Sequence, residues 1–173
     1  MRRIAAILGS IIFFFVAPFT LAGLVPWWMT RWQVRYPDYA VPLVQVAGAA
    51  IALLGTLFLI DSFARFALKG LGTPAPIFPP KHLVVDGLYR YVRNPMYVGV
   101  VSAIFGQALM FASPSLAIYG AALWLGFALF VVGYEEPTLR EMFGAEYEEF
   151  CKNVRAWFPR LTPWRGGSVT TQH

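Results

Sequence analysis

Between Arg93 and Glu135 not one residue is charged. A stretch that long with no ion constrains the fold more than any other feature of the chain. Ser113-Pro114-Ser115 divides it into two apolar segments, about Pro95–Ala112 and Ser115–Tyr134. Two further segments lie upstream, about Ile4–Val25, interrupted by Pro18, and about Val41–Ile60, ending near Asp61. Each approaches the ~20 residues a helix needs to cross ~30 Å of hydrocarbon. A soluble helical core shows a polar face every turn, and these segments show almost none. Pro95 and Pro114 stand where helices can start, since a missing N–H costs nothing there. The short Ser-Pro-Ser link predicts an antiparallel hairpin.

Composition agrees. Of 173 residues 58% are hydrophobic and 13% charged, against about 25% charged in soluble domains. The net charge of +5 does not indicate nucleic acid, because the cations cluster at the ends of apolar runs rather than along one stripe. Arg31 and Arg35 lie in the first loop and the third loop has no cation. All other Lys and Arg fall at the amino terminus, in the second loop or in the tail. The positive-inside rule then places both termini and the second loop in the cytoplasm, with four crossings. Arg2-Arg3 before an apolar run resembles a signal peptide. The run Ile4–Val25 is longer than an h-region and lacks a clear A-x-A site, so it reads as a retained transmembrane helix. One cysteine, Cys151, allows no intrachain disulfide and no paired-cysteine metal site, and it reads as a packing residue. His82 and His173 are too few for a His-rich metal site, so no metal is expected.

The loops carry their own signals. Pro26–Pro42 holds Trp27, Trp28, Trp32, Tyr36 and Tyr39, ordinary anchors at a membrane boundary. Gly70–Pro80 contains four prolines and cannot be helical, and its Ile77 and Phe78 suggest that it packs on something. Leu83-Val84-Val85 followed by Asp86-Gly87 reads as a short extended piece closed by a turn. Beyond the last apolar segment Pro137 should break or kink the helix, and Thr138-x-x-Glu141 can start a new one as a capping box. Leu139, Phe143, Tyr147 and Cys151 recur at i+4. They predict an amphipathic cytoplasmic helix over about Thr138–Asn153, lying against the membrane or the second loop. Residues after Pro163 read as a frayed tail.

The chemistry-bearing residues sit at the open end of the hairpin. Arg93-Asn94 precedes the third segment and Glu135-Glu136 follows the fourth, so a guanidinium, an amide and two carboxylates should converge. The third helix adds free N–H groups and a positive dipole end. Together they offer donors for a carboxylate and acceptors for an ammonium or for ribose hydroxyls. The plainer alternative is that the charges only snorkel or form interfacial ion pairs. There is no P-loop, no G-x-S-x-G and no metal-ligand spacing, and Gly70-x-Gly72 lacks the third glycine of a dinucleotide fingerprint.

Gly87-Leu-Tyr89-Arg-Tyr-Val-Arg93-Asn94-Pro95-Met-Tyr97-Val-Gly99 resembles the G-x-Y-x-x-x-R-[HN]-P-x-Y-x-G motif of membrane methyltransferases. These include isoprenylcysteine carboxyl methyltransferases and phospholipid N-methyltransferases. Glu135-Glu136-Pro137-x-Leu139 and Phe143-Gly144-x-Glu146-Tyr147 resemble the same group's second motif. The resemblance covers about Gly72–Pro159. It implies a cytoplasmic S-adenosylmethionine site reached by a lipophilic acceptor from the membrane. It also implies cofactor roles for Tyr91, Arg93, Asn94, Pro95, Tyr97, Gly99, Glu135 and Glu136. Asn94 departs from the histidine of many relatives and cannot titrate. Phe150 stands where some relatives show a polar aromatic. A carboxylate acceptor would be oriented by Arg93 or Arg155, and an amine acceptor would give its proton to a glutamate.

The expectation is therefore an all-α, multi-pass membrane protein with about four transmembrane helices, a cytoplasmic cofactor-binding loop and a C-terminal amphipathic helix. It forms one domain over 1–173: a two-span region over 1–63, a cofactor-binding and catalytic region over 64–160 and a flexible tail over 161–173. The expected partners are the lipid bilayer and a lipophilic or lipid substrate, not nucleic acid, and in a bacterial cell the membrane is the inner one. Carboxyl O-methylation of an isoprenylcysteine-like molecule is the first reading of function. Phospholipid or amine N-methylation, an NADPH-dependent membrane reductase and a non-enzymatic membrane scaffold are the alternatives.

Overall fold

A computed structural model describes residues 15–34, 41–69, 83 and 85–165. Among these the chain is helical and contains no strand. A π-helical lead-in, Phe15–Leu24, carries Pro18 and runs directly into α1, Val25–Thr30. Helix α2 spans Pro42–Lys69, a 3-10 turn spans Gly87–Arg90, and α3 spans Pro95–Met110. Helix α4, Pro114–Phe130, passes through a π-turn, Val131–Glu135, into α5, Glu136–Asn153.

Proline punctuates these elements as the sequence predicts. Pro95 and Pro114 occupy the first turns of α3 and α4, and Ser113 caps α4 by accepting the N–H of Leu116. The Ser-Pro-Ser link makes α3 and α4 an antiparallel hairpin. The apolar run of α2 ends near Asp61 as expected, but the helix does not. It continues to Lys69, and Arg65, one turn on, donates to both Asp61 oxygens at 2.7 and 2.9 Å, so each charge is paired.

Helices α2 and α3 meet through small residues. A Cβ on Gly48 would come within 2.6 Å of the Gly106 carbonyl, and one on Gly55 within 2.6 Å of the Ala103 nitrogen. Side chains are left out where backbone must meet backbone, the usual device for close helix packing in lipid. Leu59, Phe63, Val100, Ile104, Ala108 and Leu116 form the adjoining core. Gln107 ties in the first segment by donating to the Ala22 carbonyl at 2.7 Å.

Among the described residues two helical stretches, Pro42–Arg65 and Pro114–Asn153, are long and apolar enough to cross a membrane. Only 17% of each apolar window is buried, whereas the core helix of a soluble protein is mostly buried. Leu43, Val46, Leu53, Ile118 and Leu129 are exposed along them. This is the outward apolar face of a membrane protein. The expected third span, α3, is a shorter apolar helix, and the expected first span lies partly outside the described residues. Tyr36, Tyr39, Val84 and the Gly70–Pro80 loop also lie outside them.

Three expectations change. Pro137 does not end the helix. The rod runs on through the π-turn, and the hydroxyl of Thr138 bonds back to the Tyr134 carbonyl at 2.7 Å instead of capping a new start. The extra residue of the π-turn accommodates the proline ring and the lost N–H. Part of the predicted first loop is helical (α1), and Arg31 there lies 4.5 Å over the Trp27 ring. The tail is not frayed immediately after Pro163, because Trp164 stacks on Phe150 at 5.7 Å.

The amphipathic stripe of α5 is borne out. Tyr147, Phe150 and Val154 are buried, with Leu139, Phe143, Cys151, Leu83, Val85 and Trp164 packed around them. The stripe thus lies against the end of the second loop. The helix carries a kink the periodicity did not show, at Gly144, which has a φ of 49°.

Candidate active site at the open end of the hairpin

The chain reaches this site through Asp86-Gly87. Asp86 is extended and its carboxylate accepts the Gly87 N–H, capping the 3-10 turn, while Gly87 takes a left-handed φ of 55°. The turn delivers Arg90 to Asn94 to the start of α3. A segment after α5 then closes over this motif through its backbone. The Arg93 and Asn94 N–H groups donate to the Arg155 and Ala156 carbonyls at 2.9 and 3.3 Å, and Arg160 and Trp164 N–H groups return to the Tyr91 and Arg90 carbonyls at 2.9 Å each. Arg90 Nε adds a bond to the Trp164 carbonyl at 2.6 Å. Sequence reasoning missed this strap. Trp157 and Trp164 in a basic tail were the available signal.

On the other side of the motif the π-turn turns the two glutamates toward different partners. Tyr97, in the first turn of α3, donates its hydroxyl to Glu135 at 3.0 Å. Arg93 Nη2 pairs with Glu136 at 3.1 Å, with both side chains largely buried, and the more exposed Arg140 reaches the other Glu136 oxygen at 3.2 Å. Arg93 Nη1 donates to the Cys151 sulfur. Cys151 packs against the α5 cluster as expected and also touches this site arginine. Arg93 Nε is buried with no hydrogen-bond partner, and a buried orphan donor of this kind is the signature of a missing acceptor.

An aromatic wall completes the site. Tyr97 packs on Phe127 with ring centroids 4.7 Å apart and faces Trp157 of the strap at 6.4 Å, and Trp157 meets Trp124 edge-on at 6.0 Å. Burial, and after it the nearby Glu135 charge, pushes the Tyr89 phenol well above its ordinary range, so it is a neutral hydroxyl.

Arg93, Tyr97, Glu135 and Glu136 are thus brought together. Asn94 and Pro95 are buried beside them at the start of α3, and Asn94 makes no side-chain capping bond. Gly99 belongs to the helix seam, where a Cβ would come within 2.8 Å of the Gly55 carbonyl. Arg155 is exposed, and its carbonyl rather than its guanidinium touches the motif. Tyr91 lines a neighbouring cavity with Asp61 and Arg65.

The phospholipid methyltransferase family model matches residues 43–146. Methanethiol S-methyltransferase 1 of Bradyrhizobium diazoefficiens is 32% identical over 160 residues, covering 84% of this chain and 52% of that protein. Cobalt-zinc-cadmium resistance protein CzcN of Cupriavidus metallidurans is 38% identical over 161 residues, covering 91% and 67%. A probable protein-S-isoprenylcysteine O-methyltransferase of Oryza sativa subsp. indica is 36% identical over 78 residues, covering 44% and 40%. The chain spans about half the length of the first of these relatives and less of the rice protein. No solved structure matches.

Proposed function

This chain belongs to the phospholipid methyltransferase family, and we propose that it transfers a methyl group from S-adenosylmethionine to a membrane-soluble acceptor at the open end of the α3–α4 hairpin. The observation that carries this reading is the junction of Tyr97–Glu135 and Arg93–Glu136 at 3.0 and 3.1 Å, with a buried Arg93 donor left over. These residues fit the cofactor. The orphan Nε suits its carboxylate, and the two carboxylates suit its ammonium and ribose hydroxyls. The aromatic wall suits a sulfonium. Asn94 and Pro95 stand beside these residues and Gly99 supports them through the seam that fixes α3, while Tyr91 faces the neighbouring cavity.

Bound S-adenosylmethionine supplies a methyl that is already strongly electrophilic. The chain then has to align the acceptor and exclude water. Tyr97 holds Glu135 in place, the strap covers the cytoplasmic side, and Trp157, Trp124 and Phe127 present an apolar wall to an acceptor arriving from the lipid. Glu135 also receives a proton if the acceptor must lose one.

The acceptor that fits best is a small apolar thiol. A carboxylate acceptor needs an available cation, and Arg93 is engaged by Glu136 and Cys151 while Arg155 points to solvent. A thiol needs a proton acceptor, which Glu135 provides. Two of the relatives with long matches, that of Bradyrhizobium diazoefficiens and one from Mycobacterium tuberculosis covering 84% of the chain, are named methanethiol S-methyltransferases, while the equally long match to CzcN names no acceptor. Carboxyl O-methylation of an isoprenylcysteine-like molecule is the second reading, resting on the shorter match to the rice protein. In both, the chain crosses the membrane four times with both termini in the cytoplasm, as the distribution of its cations supports, and in a bacterial cell that membrane is the inner one.

The test is transfer of labelled methyl from S-adenosylmethionine by purified protein in lipid, offering an alkanethiol, an S-prenylated cysteine and phosphatidylethanolamine side by side. Label in the thioether, lost in Glu135→Gln, supports the first reading. Label in a base-labile methyl ester selects the second, and label in neither overturns both.

A further inference from the structure

The strap after α5 turns two apolar side chains outward. Phe158 is 71% exposed and Leu161 100%. Yet the strap that carries them is fixed by backbone bonds to Arg90, Tyr91, Arg93 and Asn94. A single exposed leucine needs no explanation on most protein surfaces. Here its position supplies one.

Trp157 sets the level at which the strap lies. Its ring meets Tyr97 at 6.4 Å and Trp124 at 6.0 Å. Trp124 stands eleven residues before Glu135, inside the uncharged run, which is about 16 Å along a helix at 1.5 Å per residue. The strap is thus held against the flank of the hairpin, where the apolar span gives way to charge. Trp124 and Leu125 are themselves partly exposed on α4, so the lipid-facing surface of that helix continues onto the strap.

Charge adds the second half of the argument. From Lys152 to Arg165 the chain has four cations, Lys152, Arg155, Arg160 and Arg165, and no acid. Lys152, Arg155 and Arg165 are exposed. Arg160 Nη1 donates to the Asn153 carbonyl at 2.5 Å, which ties the strap back to the end of α5.

We propose that the strap docks on the surface of an anionic bilayer at the open end of the hairpin. Phe158 and Leu161 enter the boundary between head groups and acyl chains, and the exposed cations meet lipid phosphates beside them. Apolar insertion and a basic patch are the two signals that together hold a segment at a membrane surface. Long basic side chains can reach the head groups from an apolar depth. A zwitterionic surface satisfies only the insertion, whereas an anionic one also attracts the cations. The strap's Arg160 and Trp164 N–H groups bond to the Tyr91 and Arg90 carbonyls, so lipid charge holds the strap closed on the motif. The occupant is the bilayer surface and not a methyl acceptor, and the proposal does not depend on methyl transfer.

Hydrogen exchange of the whole protein in nanodiscs tests it, without S-adenosylmethionine. One disc is phosphatidylcholine alone and the other an equal mixture of phosphatidylcholine and phosphatidylglycerol. The peptide carrying the Arg160 and Trp164 amides should exchange about tenfold more slowly in the mixed disc at low salt, with the difference shrinking at high salt. Arg155→Gln/Arg165→Gln should remove most of that difference. Phe158→Ser/Leu161→Ser should speed exchange of the peptide in both discs. Peptides from the α2–α3 seam should exchange alike throughout. Equal exchange of the wild-type strap in the two discs would overturn the proposal, and this comparison needs no variant to fold. A lipid difference undiminished in the arginine variant, or strap exchange unchanged in the Phe158/Leu161 variant, would overturn it as well.

Discussion

Glu135 and Glu136 are neighbours in sequence with different partners, one on a tyrosine hydroxyl and one on two arginines. Replacing Glu135 by Gln removes a charged acceptor, and hydrogen bonds to charged groups are worth about 1.5–3 kcal/mol. Cofactor affinity should fall by roughly 10–100-fold while helicity is unchanged, a difference that calorimetry and circular dichroism resolve together. Tyr97→Phe keeps the carboxylate and loses its donor, so it should cost less affinity than Glu135→Gln; equal or greater loss would mean that Tyr97 touches the ligand itself. Cys151 gives a sharper case. Cys151→Ser preserves a small acceptor for Arg93 and Cys151→Val does not, so the valine variant should bind cofactor more weakly than the serine variant. Convergence of the two motifs was legible, because apolar segments of similar length joined by a short link must bring their open ends together. The Arg93–Cys151 bond was not, since i+4 spacing shows which face a cysteine occupies and not what crosses to meet it.

At the scale of elements, the seam between α2 and α3 and the π-turn decide the geometry. Gly106→Leu would drive a side chain into the backbone of α2 around Ala52. Overpacking costs about 1–3 kcal/mol where neighbours can yield, and backbone yields less than side chains. Thermal unfolding in detergent should drop clearly for Gly106→Leu and little for Gly126→Leu, whose Cβ would meet nothing within 4 Å. Pro137→Ala restores an N–H at the helix junction. The π-turn should relax, the two glutamates should turn together, and cofactor affinity should fall even as helicity rises. Span ends, helix starts and the stripe of α5 follow from hydropathy, proline chemistry and i+4 spacing. The seam and the π-turn depend on tertiary contact: glycines in an apolar run fit many helices, and a proline after two glutamates reads as a stop unless the helix widens to keep it.

For the whole molecule, the strap after α5 binds the chain's end to its motif through backbone bonds to Arg90, Tyr91, Arg93 and Asn94. Backbone pairing has little side-chain signature, which is why a basic stretch with two tryptophans read as a tail. Truncation before Val154 should abolish cofactor binding although every motif residue remains, whereas truncation after Trp164 should leave it intact. The central claim, that the polar end of the hairpin holds S-adenosylmethionine, is tested most directly by calorimetric titration of that cofactor into purified protein, beside Glu135→Ala and Arg93→Ala. The account predicts micromolar-range binding by the wild type and its loss in both variants. A well-folded wild type that binds nothing, or variants that bind as well as it does, would contradict it.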